Sequence, residues 1–181
     1  MGDQGDAFFH IASQNEKDMA ITAAIFDVRQ RRIPNWLTYP GIVSGLVLRG
    51  FFLGWKGLIG AVEGFVLLGG IMFLFYAVRA MGAGDVKLMA AVGSMVGPVH
   101  GFIILLATAI SGGLLAIVYA LYRGRMWSTL KNVGSVLLFH AQTGLKAHPE
   151  LNLDNPATLR MPYGLAIAAG TLYAFLAMWW S

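Results

Sequence analysis

Apolar runs of membrane-spanning length dominate this chain and leave it few folds. Trp36 to Leu53, Leu58 to Val78, Phe102 to Tyr122 and Pro162 to Trp180 each lie near the ~20 residues that carry a helix across a bilayer. With 57% hydrophobic and only 12% charged residues, the 181-residue composition is not that of a soluble domain. The expectation is an all-α integral membrane protein, a bundle of about six transmembrane helices in a single domain from residue 19 to 181. Its helices are expected at about 19–28, 36–53, 58–78, 85–96, 102–122 and 162–180. Residues 1–18, polar apart from Phe8, Phe9 and Ile11, read as an interfacial or extracytoplasmic tail without the basic start of a cleavable signal peptide.

The run from Met19 to Val28 is short for a span. Either its helix starts further back, with Asn15 to Asp18 at the headgroups, or it crosses part of the bilayer and draws Asp27 inward. Arg29, Arg31, Arg32 and Ile33-Pro34-Asn35 follow; proline disfavours helix at the residue before it and suits the first turn of the next. Gly97-Pro98 marks another stop. Between Arg123 and Leu159, Trp127, Leu130, Val133, Leu137, Ala141 and Leu145 recur at helical spacing, with Lys131, Asn132, Ser135 and Gln142 off that stripe. An amphipathic helix at about 126–146 follows, either lying on the inner leaflet or docked on the other helices. Asn152 to Thr158 is turn-like.

The basic residues set an orientation. With 30–33 in the cytoplasm, that side also holds Arg79, Lys87, Arg123, Arg125, Lys131, Lys146 and Arg160, while Lys17, Arg49 and Lys56 fall elsewhere. This positive-inside pattern predicts a multi-pass protein of the cytoplasmic membrane with its N terminus outside. It explains the net charge of +4 better than nucleic-acid binding does, because no continuous basic face forms. It also brings Asp27, just before one cytoplasmic loop, and Asp85, just after another, to the same face and a similar depth.

Asp85 sits in Met81-Gly-Ala-Gly-Asp-Val-Lys87, between two apolar runs. A carboxylate at mid-bilayer costs roughly 2.5–3.5 kcal/mol on insertion scales and marks function by default. Gly82 and Gly84 leave the backbone bare, so another chain can approach it. Two carboxyls sharing a site repel, which favours one proton between them. Such a pair can deprotonate a water that attacks a peptide carbonyl, polarise that carbonyl and protonate the leaving amine, with no metal or cofactor. The bland alternative is that each aspartate caps a helix or reaches for headgroups. Lys87 reads as a headgroup anchor pointing away from Asp85, and Arg49 with Glu63 as a structural ion pair near the outer helix ends. His10, His100, His140 and His148 lack metal-ligand spacing, and the absence of cysteine excludes a thiolate nucleophile and cysteine-held metals. Gly41/Gly45, Gly60/Gly64 and Gly93/Gly97 are small-residue pairs suited to close helix packing.

Asp27 followed by Arg31-Arg32-Ile33-Pro34-Asn35, then Gly82-Ala83-Gly84-Asp85-Val86-Lys87-Leu88, then Arg160-Met161-Pro162-Tyr163-Gly164, resembles the type IV prepilin peptidases, membrane aspartyl proteases of the Gly-x-Gly-Asp class. Leu165 stands where many members carry proline. The resemblance, closest to short forms serving tight-adherence (Flp) pili, implies removal of the short basic leader of prepilins or pseudopilins at the cytoplasmic face. It implies Asp27 and Asp85 as the catalytic pair. Pro34, Asn35, Gly82, Gly84, Lys87, Pro162, Tyr163 and Gly164 would be supporting motif residues, and N-methylation is not expected. Glu150 and Asp154 are expected to attract a basic leader. The competing class is a small transporter or channel using the acids for protons or cations. A signal-peptide-peptidase-like enzyme is disfavoured, since no Tyr-Asp pair marks the first acid and no Pro-Ala-Leu motif follows.

Overall fold

The computed structural model describes residues 11, 14–15, 18–27, 33–124, 126–144 and 163–180. The expectations for Arg29, Arg31, Arg32, Lys146, Glu150, Asp154, Arg160, Met161, Pro162 and most of the tail lie outside these residues. The described chain is helical throughout, with no strand among the described residues: α1 (18–27), α2 (Asn35–Ala77), α3 (Ala83–Val96), α4 (Pro98–Tyr122), α5 (Met126–Thr143) and α6 (Tyr163–Trp180). By length and composition α2 and α4 are apolar enough to cross a membrane.

The expected second and third helices form one element, α2, broken at Gly54, where φ is 63° and ψ −153°. That left-handed φ favours glycine, so the reversal falls where a side chain would be strained. Beyond Gly54 the chain turns back. Gly41 abuts Ala91 and Gly45 abuts Ser94 and Met95, so 35–53 runs with α3; Gly64 abuts Gly93 and Gly97 while Gly69 abuts Ala90, so 55–77 runs against it. The halves rise about 28 and 34 Å at ~1.5 Å per residue. Leu68 packs on Gly101, further along both helices than Gly64 on Gly97, so α4 descends beside the second half of α2.

At the centre stands α3. Leu88 to Met95 are all buried, as expected of a helix that is apolar on every side and wrapped by neighbours. Its Leu88, Met89 and Val92 share one buried cluster with Leu68 and Met72 of α2, Ile104 of α4 and Ile167 of α6. Gly64 and Gly93 face each other so that each backbone meets the other's carbonyl, an approach no side chain permits. Gly41, Gly45, Gly64 and Gly93 serve close packing, as expected, whereas Gly60 leaves room for the Arg49 guanidinium. Met19 of α1 wedges against Gly41, and α1 then descends to the end of the bundle where α3 begins.

Two boundaries shift. Expected to start at Asp85, α3 begins at Ala83, which puts Asp85 inside the first turn; α4 begins directly at Pro98, after Gly97 at φ 82°. The expected Arg49–Glu63 ion pair does not form among the described residues. Arg49 instead donates from Nε to the Gly57 carbonyl at 3.2 Å and from Nη1 to the Met95 carbonyl at 3.4 Å, while Glu63 is exposed. The Met95 carbonyl, in the last turn of α3, lacks an intrahelical donor, so a guanidinium beside it gains more than it would from an exposed carboxylate. Among the described residues of α2 to α6, α5 meets only α4, with Trp127, Leu130, Val133 and Leu138 exposed.

Candidate active site

The site is built where α1 ends, α2 begins and α3 begins. Asp27, the last described residue of α1, is only 8% exposed, although it is a carboxylate. Asp85 occupies the first turn of α3, and its charge interacts with that of Asp27. The local structure holds Asp85 twice: its Oδ2 accepts the Gly82 backbone N–H at 3.2 Å, and its own N–H donates to the Gly82 carbonyl at 3.2 Å. This is the carboxylate half of a capping box, which satisfies a donor that the helix start leaves open. Asp85 therefore does cap, and its charge also interacts with that of the second acid.

The two glycines of the motif have separate uses. A Cβ at Gly82 would stand 3.2 Å from Asp85 Oδ2, crowding the capping oxygen. A Cβ at Gly84 would stand 3.1 Å from the Ile33 Cβ, so the first turn of α3 is seated on the segment that leads into α2. Pro34 takes the extended position just before α2, with φ −72° and ψ 141°. Its carbonyl accepts the Leu37 N–H at 3.1 Å.

Lys87 departs from its expected role. Its Nζ donates to Asn35 Oδ1 at 2.9 Å and lies 5.1 Å from the centre of the Tyr39 ring, so it ties α3 to the first turns of α2. Phe26 and Trp36 meet edge to face, ring centres 5.7 Å apart at 84°, joining α1 to α2 beside Asp27. The structure thus brings together Asp27, Ile33, Pro34, Asn35, Gly82, Gly84, Asp85 and Lys87. Tyr163 and Gly164 open α6, their side chains are outside the description, and Pro162 is outside it altogether. Phe26, Trp36 and Tyr39 escaped the sequence reading. An aromatic two turns or less from a motif residue was the available signal.

Against known families, the model of the type IV leader peptidase family matches residues 19–117. The chain belongs to that family. The matched region holds Asp27, the Pro34-Asn35 pair and the whole Gly82–Lys87 motif, and it ends before the third motif. Two curated relatives, each described as a prepilin leader peptidase/N-methyltransferase of Burkholderia pseudomallei, strains 1026b and K96243, are 32% identical over 112 residues. That alignment covers 59% of this chain and 36% of each relative, so the family portion here corresponds to about a third of their length. No solved structure matches the chain.

Proposed function

We propose that this member of the family is an aspartyl endopeptidase of the bacterial cytoplasmic membrane that removes the short basic leader from prepilins or pseudopilins. What supports the reading is that Asp27 closes α1 and Asp85 opens α3 at one end of the bundle, near enough for their charges to interact, although they are distant in sequence. One carboxylate takes a proton from water as the water oxygen bonds to the scissile carbonyl carbon. The protonated partner donates a hydrogen bond to the carbonyl oxygen. It then passes its proton to the amide nitrogen as the carbon–nitrogen bond breaks. The adjoining cap at Gly82 fixes one Asp85 oxygen and so orients the other toward the water.

The topology we assign has α1, the two halves of α2, α3, α4 and α6 in the membrane, the N terminus outside and the acid pair facing the cytoplasm. Arg79, Lys87 and Arg123 support it, since all three fall at the aspartate end and Arg49 and Lys56 at the other. We assign α5 to the inner leaflet: Trp127, Leu130 and Val133 are exposed, Lys131 reaches over Trp127 at 5.7 Å, and among the described residues of α2 to α6 it meets only α4.

Cleavage of a tagged prepilin in membranes tests the reading. Wild type should release the leader, and Asp27→Asn and Asp85→Asn should each slow release by roughly a hundred-fold or more at unchanged protein level. Cutting by both variants at the wild-type rate would refute the pair. Ion movement without cutting by any form would favour a transporter. Because the chain has no cysteine, single cysteines at Ala83 and Trp55 report topology by labelling from either side, and equal labelling from the outside would overturn it.

A further inference from the structure

Asp27 and Asp85 have no covalent route shorter than the whole of α2, so their separation depends on how the ends of α1, α2 and α3 are joined. Residues 28–32 link Asp27 to Ile33, and Ile33-Pro34-Asn35 leads from there into α2 beside the first turn of α3. Two contacts hold that segment to α3. Gly84 rests on Ile33 through backbone proximity. The other contact is polar and directional: Lys87 Nζ on Asn35 Oδ1 at 2.9 Å and above Tyr39 at 5.1 Å. An ammonium with a neutral amide and an aromatic face carries no carboxylate partner in this cluster, so its charge is not spent neutralising an acid.

From these contacts we infer that Lys87 is a positioning residue, which clamps the start of α2 to the first turn of α3 through Asn35 and Tyr39 and thereby fixes the spacing of the two aspartates. The inference rests on reading Asp27 and Asp85 as the working pair. Lys87 is one turn or less from Asp85 on the same helix, so any rotation of α3 that carried Asp85 away from Asp27 would first break the clamp. The mirror contact is Phe26 on Trp36, which fixes α1 to the same turns of α2. Both clamps converge on the first turns of α2, which becomes the reference against which the two acids are placed. Loss of the clamp leaves each acid intact and lets the distance between them vary.

The test uses the full chain in membranes or detergent, with Lys87→Met, Lys87→Arg, Asn35→Ala and the Lys87→Met/Asn35→Ala double variant. The absence of native cysteine lets spin labels at Ile25→Cys and Ala83→Cys, exposed sites two residues before each aspartate, report the spacing alone. Expected are a broadened label distance in Lys87→Met and a kcat lowered on the order of ten- to a hundred-fold, with KM within about two-fold. Lys87→Arg, which keeps the donor, should recover most of kcat. The double variant should be no slower than either single one, since both remove the same contact. An unchanged distance distribution, a loss in KM alone, or multiplying losses in the double variant would overturn the clamp. Broadened distances in a protein whose wild type cuts no prepilin would uphold the clamp and remove the peptidase reading instead.

Discussion

Replacing Gly64 by alanine places a methyl group where the Gly93 carbonyl lies, with the Gly93 and Gly97 carbonyl carbons 2.8 Å away. Ordinary carbon–carbon contact is about 3.5–4.0 Å, and every atom met is backbone, so no side chain can swing aside. The second half of α2 and α3 must part by at least half an ångström or so, more at the carbonyl oxygen. Overpacking of this kind costs roughly 1–3 kcal/mol. The same helix supplies its own control at Gly70, where an added Cβ meets nothing within 4 Å. There alanine should stabilise by up to about 1 kcal/mol, because it relieves the entropic penalty of glycine in a helix. Equilibrium unfolding in mixed micelles should therefore move in opposite directions for Gly64→Ala and Gly70→Ala. Leader cleavage should fall only in the first, since α3 carries Asp85. Shifts of one sign, or an unaffected Gly64→Ala, would refute the close packing of α2 on α3.

Asp27→Asn and Asp85→Asn should each lower the cleavage rate roughly 10²–10⁴-fold, and the double variant should be no slower than the worse single one, because the acids act as a unit; independent losses in the kinetics would argue against a shared water. Cleavage should rise and then fall with pH, both limbs belonging to the pair, and either asparagine variant with residual activity should lose the bell; a persistent bell would place the titrating groups elsewhere. Asp85→Ala should cost about 0.5–1 kcal/mol more stability than Asp85→Asn in the same unfolding assay, since asparagine keeps an acceptor for the Gly82 N–H. Arg49→Met should destabilise by about 1–3 kcal/mol through the lost bonds to the Gly57 and Met95 carbonyls, whereas Glu63→Gln should stay within about 0.5 kcal/mol; equal losses would restore the ion pair.

That Asp27 and Asp85 fall at one end of the bundle was legible because it follows from counting: apolar runs alternate direction, and both acids adjoin basic segments. Gly97-Pro98 and the small-residue pairs were legible for a similar reason, since each states a local constraint on backbone. Rotation of the helices about their own axes was not. In a soluble bundle the contrast between apolar and polar faces fixes it. Here exposed and buried positions are equally apolar: Phe51 and Phe102 are exposed while Leu68 and Ile104 are buried. Contacts that depend on rotation were therefore misread or missed: Arg49 toward carbonyls rather than Glu63, Lys87 toward Asn35, Phe26 toward Trp36. In hindsight the glycines carried the rotational information, because Gly41, Gly45, Gly64 and Gly93 mark the faces that meet.

The length of α3 explains why polar groups gather at both its ends. On the topology proposed above, the fourteen residues rise about 21 Å, short of the ~30 Å hydrocarbon core, and a helix that ends inside an apolar slab must satisfy its open N–H and C=O groups from the protein itself. At the C-terminal end Arg49 supplies a donor to Met95. At the N-terminal end Asp85 supplies an acceptor to Gly82. Only the second group is an acid with another acid beside it. A short central helix thus creates a buried demand for an acceptor at the place where a leader peptide would be cut, and the carboxylate that meets this demand is the one available for chemistry. Lengthening α3 by a turn would remove the demand and carry Asp85 about 5.4 Å along the axis, away from Asp27. On the proposed mechanism, the length of α3 is therefore as much a part of the site as the acids themselves.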